Sequence, residues 1–198
     1  MSKETLISYL EESLEKTMGE YDFAIDWSKK ERTIKISVRL FADNNKKISF
    51  EDTDQIISQE EVLEFVDSAI FYGKTREDAI HKENYLASVP FDEKKGLEKG
   101  VIDAFSTCLK EMMDQAQEEF LDFLEETALV TAMENLDDNQ IKKYFSGLSQ
   151  DQQEILLSAL EKEELVFEFD FNQESFESSV VENLKIPEGK ELLEYPLY

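Results

Sequence analysis

Residues 21–40 read YDFAIDWSKKERTIKISVRL, and this stretch decides the fold. Apolar and polar side chains alternate along residues 21–27 and again along residues 33–40, with a polar turn at residues 28–31 between them. A period of two is typical of strands that have one buried face and one exposed face. The stretch therefore predicts an antiparallel hairpin. The side chains expected to face the core are Phe23, Ile25, Trp27, Ile34, Ile36 and Val38.

A helix is predicted before this hairpin. Residues 3–18 carry apolar side chains at spacings of three and four, which is the period of one helix face. Ser2 is a candidate N-cap, and Gly19 is a residue type that commonly ends a helix.

Two further strands are predicted after the hairpin. Residues 61–72 fit either a helix or a strand, and their β-branched and aromatic side chains favour a strand beginning near Phe65. Residues 85–91 indicate a short strand, and Pro90 confines it to an end or an edge because proline donates no ladder hydrogen bond.

Helical periodicity dominates the second half of the chain. Apolar residues keep helical register from about residue 96 to about residue 132, which predicts one long helix that covers the sheet. Shorter helices are predicted at residues 138–147 and 150–162. The second of these has Ser149 and Gln152 as a capping box.

Together these elements predict an α+β protein. We expect an antiparallel sheet of about four or five strands covered by one long helix, with shorter helices toward the C-terminus. Residues 165–171 alternate again and predict a late strand, after which the chain becomes polar. The predicted organisation is an α+β core domain at residues 1–135 and a helical plus strand extension at residues 136–198, packed on that core.

The composition restricts the compartment and the partners. The chain has 46 acidic and 21 basic residues, a formal net charge of −25, and residues 51–198 hold 37 of the acids but only 12 of the bases. Such a surface makes nucleic acid and anionic membranes poor partners. A single cysteine, a charged N-terminus and the lack of a long apolar stretch predict a cytoplasmic protein.

Catalytic motifs are missing from the sequence. His81 is the only histidine, and one nearby carboxylate, Glu77, gives it too few partners for a metal site. Cys108 lies among apolar neighbours, which favours a buried and inert thiol. Asp52 opens a stretch like a calcium loop, but the required glycine and glutamate do not follow. These observations favour a protein without catalytic residues, cofactor or metal.

Acidic residues concentrate on the predicted long helix. No lysine or arginine occurs between Glu111 and Ile141, whereas that segment holds ten acids. At about 100° per residue, seven of these acids fall within an arc of about 140° opposite the apolar face. These seven are the candidate partner-binding residues, namely Glu111, Asp114, Glu118, Glu119, Asp122, Glu125 and Glu126.

Several functions fit this acidic face. A non-enzymatic module that binds a basic protein surface is favoured, and an ordinary solvated face is the simplest competing interpretation. The acids also fit an enzyme that uses carboxylates and a divalent ion, or an inhibitor that mimics nucleic acid. A self-assembling protein fits as well, because charge is unevenly distributed along the chain and the last residues, 192–198, are mostly apolar.

Three segments resemble a known family. These are residues 21–27 (YDFAIDW), residues 83–105 (ENYLASVPFDEKKGLEKGVIDAF) and residues 118–126 (EEFLDFLEE). They are similar to an uncharacterised family of low-GC Gram-positive bacteria, domain of unknown function 3013, over roughly residues 1–130. The resemblance implies a bacterial cytoplasmic origin and one α+β unit, and it carries over no catalytic residue, ligand or cofactor.

Overall fold

The computed structural model describes residues 4–51, 57–58 and 60–196. Its helices are α1 (Leu6–Met18), α2 (Lys99–Thr131), α3 (Asp138–Gly147), α4 (Gln150–Leu160) and α5 (Gln173–Asn183). Its strands are β1 (Asp22–Ser28), β2 (Thr33–Asp43), β3 (Phe50–Glu51), β4 (Ile57–Ser58), β5 (Val62–Gly73), β6 (Ser88–Phe91), β7 (Leu97–Glu98) and β8 (Leu192–Leu193). The α+β class is therefore confirmed. The stretch that opens at Asp52 lies partly outside the described residues, at 52–56 and 59.

The predicted hairpin is present as β1 and β2, paired antiparallel from Asp22 opposite Arg39 to Ser28 opposite Thr33. This register places the apolar residues of the two strands opposite one another on one face. The β2 members of that face are buried, whereas Trp27 on β1 remains 36% exposed. The difference follows from position, because β1 is an edge strand.

The main sheet has the order β1-β2-β5-β6. The strand predicted near Phe65 begins earlier, at Val62, and the helical alternative for this stretch is wrong. Strand β6 pairs with β5 in parallel, so the sheet is mixed and not wholly antiparallel as predicted. The connection between them, residues 74–87, is long enough for this crossover and contains two short 3-10 helices. Pro90 lies on the edge strand, as expected.

Contacts group the chain into two compact units. The first contains residues 1–40, 65–115 and 169–198, and the second contains residues 41–64 and 116–168. Neither unit ends at residue 135. The division into a core and an extension at that residue is not tested by this grouping and stays a prediction.

The first unit has an aromatic and aliphatic core. Phe105 of α2 is fully buried, and its ring meets Phe71 of β5 edge-on at a centroid distance of 4.8 Å. Helix α1 adds Leu6, Leu10, Leu14 and Met18, all fully buried at spacings of four. The cap of α1 is Thr5 and not Ser2, because the Thr5 hydroxyl accepts from the Ser8 amide.

The second unit has its own buried residues. The rings of Phe120 and Phe167 lie 4.7 Å apart, and Leu156 of α4 is fully buried. Helix α4 begins at the predicted Ser149–Gln152 capping box. Asn44 is buried, and its amide group exchanges two hydrogen bonds with the backbone of Ile48.

The late strand predicted at residues 165–171 is wrong. This segment is outside every strand of the structure, although its odd-numbered side chains point inward and its even-numbered ones are exposed. Phe169 packs on Phe65, and Phe171 packs on Phe105 and Phe176. The alternation therefore reports an extended chain with one buried side that lies outside the strands of the structure.

The polar C-terminal segment is also more ordered than the sequence suggests. It forms α5 and then β8, which pairs with β7. Tyr195 is buried, stacks on Phe91 at 4.7 Å and accepts a hydrogen bond from the Trp27 indole. The segment at residues 192–196 is thus mostly packed on the first unit, and residues 197–198 lie outside the described part.

Among the described residues, no helix has the length and apolar character needed to cross a bilayer.

Candidate functional site

Helix α2 presents the acidic residues on its outer side because its inner side is apolar. Met112, Met113, Ala116 and Phe120 are buried along one line of the helix. Rotation by about 100° per residue places the acids on the opposite side. The structure confirms that Glu111 to Glu126 lie on one continuous helix, and it assigns these seven residues different environments.

Asp114 is already engaged within the first unit. Its carboxylate accepts a hydrogen bond from the Tyr21 hydroxyl at 2.6 Å and pairs with the Lys110 ammonium at 2.6 Å. These two contacts lower the pKa of Asp114, and burial together with the bond to Asp114 raises the pKa of Tyr21 to about 12. Lys110 also pairs with Glu20 at 2.6 Å. Asp114 is therefore part of a closed local network.

Glu126 and Glu119 form the other edge of the predicted arc, and both are half-buried. Both carboxylate oxygens of Glu126 contact the Lys162 ammonium, at 3.0 and 2.8 Å. Only 20% of the Glu126 side chain is exposed. Glu119 also takes part in an interaction with its surroundings. These two residues are less available to a partner than the sequence predicts.

Of the seven candidate acids, three remain open in the second unit, namely Glu118, Asp122 and Glu125. All three are exposed, and within residues 4–51, 57–58 and 60–196 none has a salt-bridge partner. Their spacing of four and three places them on one side of α2 over about 10 Å. Leu121, 53% exposed, lies between them in sequence and borders the same side. We call these three carboxylates with Leu121 the open acidic face.

Glu111 is exposed in the first unit and has a separate environment. It lines a shallow cleft with Cys108 and the first turns of α5, where Ser175 and Ser178 contribute hydroxyl groups. Burial, aided by the charge of Glu111, raises the pKa of the Cys108 thiol. Because the thiolate is the reactive form, Cys108 is disfavoured as a nucleophile.

His81 and Glu77 do not form a common site. His81 lies beside Glu83 at 3.3 Å, whereas Glu77 pairs with Lys82 at 2.6 Å. The side chains of His81 and Glu83 are both about three-quarters exposed, at 74% and 73%. In the part of the chain that the structure describes, no group of three or more His, Cys, Asp or Glu side chains could hold a metal ion.

Some interaction partners of the acids can be predicted from the sequence and others cannot. Lys110 precedes Asp114 by four residues on the same helix, so that pair is readable from the sequence. Lys162 lies 36 residues after Glu126, and Tyr21 lies 93 residues before Asp114. No local pattern indicates either of these contacts.

The fold and the acidic helix define an α+β protein with a mixed four-stranded sheet. The chain belongs to the family described as "Protein of unknown function (DUF3013)", whose model matches residues 1–158. The predicted family resemblance is therefore confirmed, and the match continues beyond residue 130. A search of curated proteins found no match.

A solved structure resembles the whole chain. It is a crystal structure of a conserved protein of unknown function from Enterococcus faecalis, with 30% sequence identity and a TM-score of 0.69. The similarity covers 99% of this chain and 97% of that chain. The shared fold thus includes the segment after residue 158.

Proposed function

We propose that this protein is a non-enzymatic binding module for a basic protein surface, and that the open acidic face is its contact region. The observation that carries the proposal is the exposure of Glu118, Asp122 and Glu125 on one side of a continuous helix. Aligned like charges cost stability, with each close pair on a helix destabilising by about 0.2–0.5 kcal/mol at low salt. A basic partner would remove that repulsion on binding.

The chemistry of the face supports a protein partner with mixed character. Carboxylates at spacings of three and four suit lysine or arginine side chains from a complementary helix or loop. Leu121 adds an apolar contact beside them. Because the charges are exposed, they should accelerate association and confer salt dependence more than they add to affinity. We place this activity in the cytoplasm because a chain with a single cysteine suits a reducing compartment.

Capture from a cell extract with matched variants tests the proposal. The test variant combines Glu118→Gln, Asp122→Asn and Glu125→Gln. The control combines Glu11→Gln, Glu12→Gln and Glu15→Gln, which removes three exposed charges from helix α1. Both variants have the same net charge, so non-specific attraction falls equally.

We expect the wild type and the control to retain a set of proteins at low salt, and the test variant to lose that set. About 0.5 M salt should release the same proteins from the wild type and the control. Equal loss by both variants would indicate attraction by net charge alone. Equal retention by all three proteins would show that the face makes no contact. Either of these two results contradicts the proposal.

A further inference from the structure

A second cleft lies in the first unit, is lined by none of the seven candidate acids of α2, and has a volume of about 550 Å³. This volume lies within the roughly 300–1,000 Å³ typical of small-molecule sites. Edge strand β6 forms one wall with Val89 and Pro90, and α5 forms another with Phe176 and Val180. Leu97, Val101 and Leu192 complete a largely apolar lining.

Two of the lining residues are lysines, Lys74 and Lys95, and both lie near Asp92, which defines the lysine end of the cleft. The pKa of Asp92 is lowered, first by hydrogen bonds from the backbone amides of Lys95 and Lys94 and further by the charges of Lys95 and Lys74. Oδ1 of Asp92 accepts hydrogen bonds from the backbone amides of Lys94 and Lys95, so the loop holds the carboxylate in place. Within the described residues, neither Lys74 nor Lys95 makes a salt bridge.

Acids also border the cleft, and they restrict the ligand. Glu98 lies on β7, and Glu177 lies on α5, where it accepts a hydrogen bond from Gln173 at 3.2 Å. Near Asp92 the two lysines outnumber the one carboxylate, so an anionic group is favoured only there, and the rest of the ligand must be uncharged. The apolar residues between the two ends suit a hydrocarbon group.

We propose that this cleft binds a carboxylate attached to a compact apolar group. The carboxylate lies between the Lys74 and Lys95 ammonium groups, and the hydrocarbon part packs on Val101, Val180 and Leu192. Two sources offer this chemistry, a free medium-chain carboxylic acid and the C-terminus of a peptide with an apolar last residue. Pairing of a peptide with the whole β6 edge is disfavoured, because Pro90 lacks a donor.

Titration of the full-length, isotope-labelled protein with octanoate tests the site by amide chemical shifts. The proposal expects saturable shifts at Val89, Gly96, Val101 and Val180. N-acetyl-leucine serves as the peptide-terminus arm, and the tighter of the two ligands identifies the source. Octan-1-ol and octylamine test the charge, and each is expected to bind about tenfold or more weakly than octanoate.

Matched variants test the residues. The double variant Lys74→Gln, Lys95→Gln is expected to weaken octanoate binding about tenfold, because charge-assisted hydrogen bonds are lost. The control, Lys94→Gln with Lys16→Gln, removes two exposed lysines that do not line the cleft. Leu192→Ser removes a half-exposed wall residue and is expected to weaken octanoate without unfolding the protein.

Three results would overturn the proposal. These are no saturable shift with either carboxylate, equal binding of octan-1-ol, and equal loss of octanoate binding in the double variant and its control. None of them bears on the open acidic face, so this site and the proposed function can fail separately.

Discussion

Gly96 shows how one residue shapes the first unit. Its φ of +89° lies in the left-handed region, and an added Cβ would come within 1.8 Å of the Leu193 carbonyl oxygen. Gly96→Ala is therefore expected to destabilise the protein by about 1–3 kcal/mol, which lowers the melting temperature by roughly 2–4 °C per kcal/mol. The control is Gly147→Ala, since a Cβ there meets no atom within 4 Å. A neutral Gly96→Ala in thermal unfolding would contradict the close packing of β8 on this loop.

Asp67 gives a prediction about pH. Burial is the main cause that raises its pKa above the ordinary 3.8, against a smaller opposing effect of the Ser68 amide. The folded state therefore binds a proton more tightly than the unfolded state, and stability falls as pH rises through the interval between the unfolded and folded pKa values.

Asp67→Asn removes this titration. We expect the variant to gain stability relative to wild type at pH 7 and to gain less, or nothing, near pH 4. Urea unfolding at both values measures the difference. A gain that is the same at the two pH values would show that Asp67 does not titrate differently on folding.

At the scale of elements, the sequence predicts local patterns well and long-range partners poorly. The hairpin at residues 21–40 follows from its period of two, and the bounds of α3 match the predicted residues 138–147. Residues 165–171 show the same period yet are not assigned to a strand, because alternation records which side is buried and carries no information on a neighbouring strand. Similarly, the spacing of the acids in the sequence predicts the acidic side of α2. The salt bridge between Glu126 and Lys162 cannot be predicted in this way, because it depends on tertiary structure.

The extended segment at residues 165–171 can be tested by alternate substitutions. Phe171→Ala removes a ring that is 7% exposed and contacts Phe105, so a loss of about 3–5 kcal/mol is expected in urea unfolding. Val166→Ala changes a side chain that is 55% exposed and should stay within about 0.5 kcal/mol of wild type. Similar losses at both positions would show that the inward and outward sides are assigned incorrectly.

At the scale of the whole molecule, the C-terminal residues belong to the first compact unit. Residues 169–198 group with residues 1–40, and they contribute the buried side chains Phe171, Phe176, Leu193 and Tyr195. A chain of residues 1–135 alone is therefore expected to lack cooperative unfolding and to show poor amide dispersion by NMR. A sharp thermal transition for this fragment would instead establish residues 1–135 as an independent domain.

The charge of the whole molecule is the background against which the open acidic face must be distinguished. A net charge of −25 attracts any cation, so binding alone proves little. Local structure makes the difference, because the molecule's own lysines neutralise Asp114 and Glu126 and leave Glu118, Asp122 and Glu125 exposed. A specific binding face requires that a cation prefer these three carboxylates to equally exposed acids elsewhere.

Titration of the labelled protein with decalysine measures that preference directly. We expect amide shifts at residues 118–125 to saturate at lower peptide concentration than those at residues 11–15, and both sets of shifts to vanish at about 0.5 M salt. Uniform shifts over the two helices, or earlier saturation on α1, would contradict a specific cation-binding face on α2.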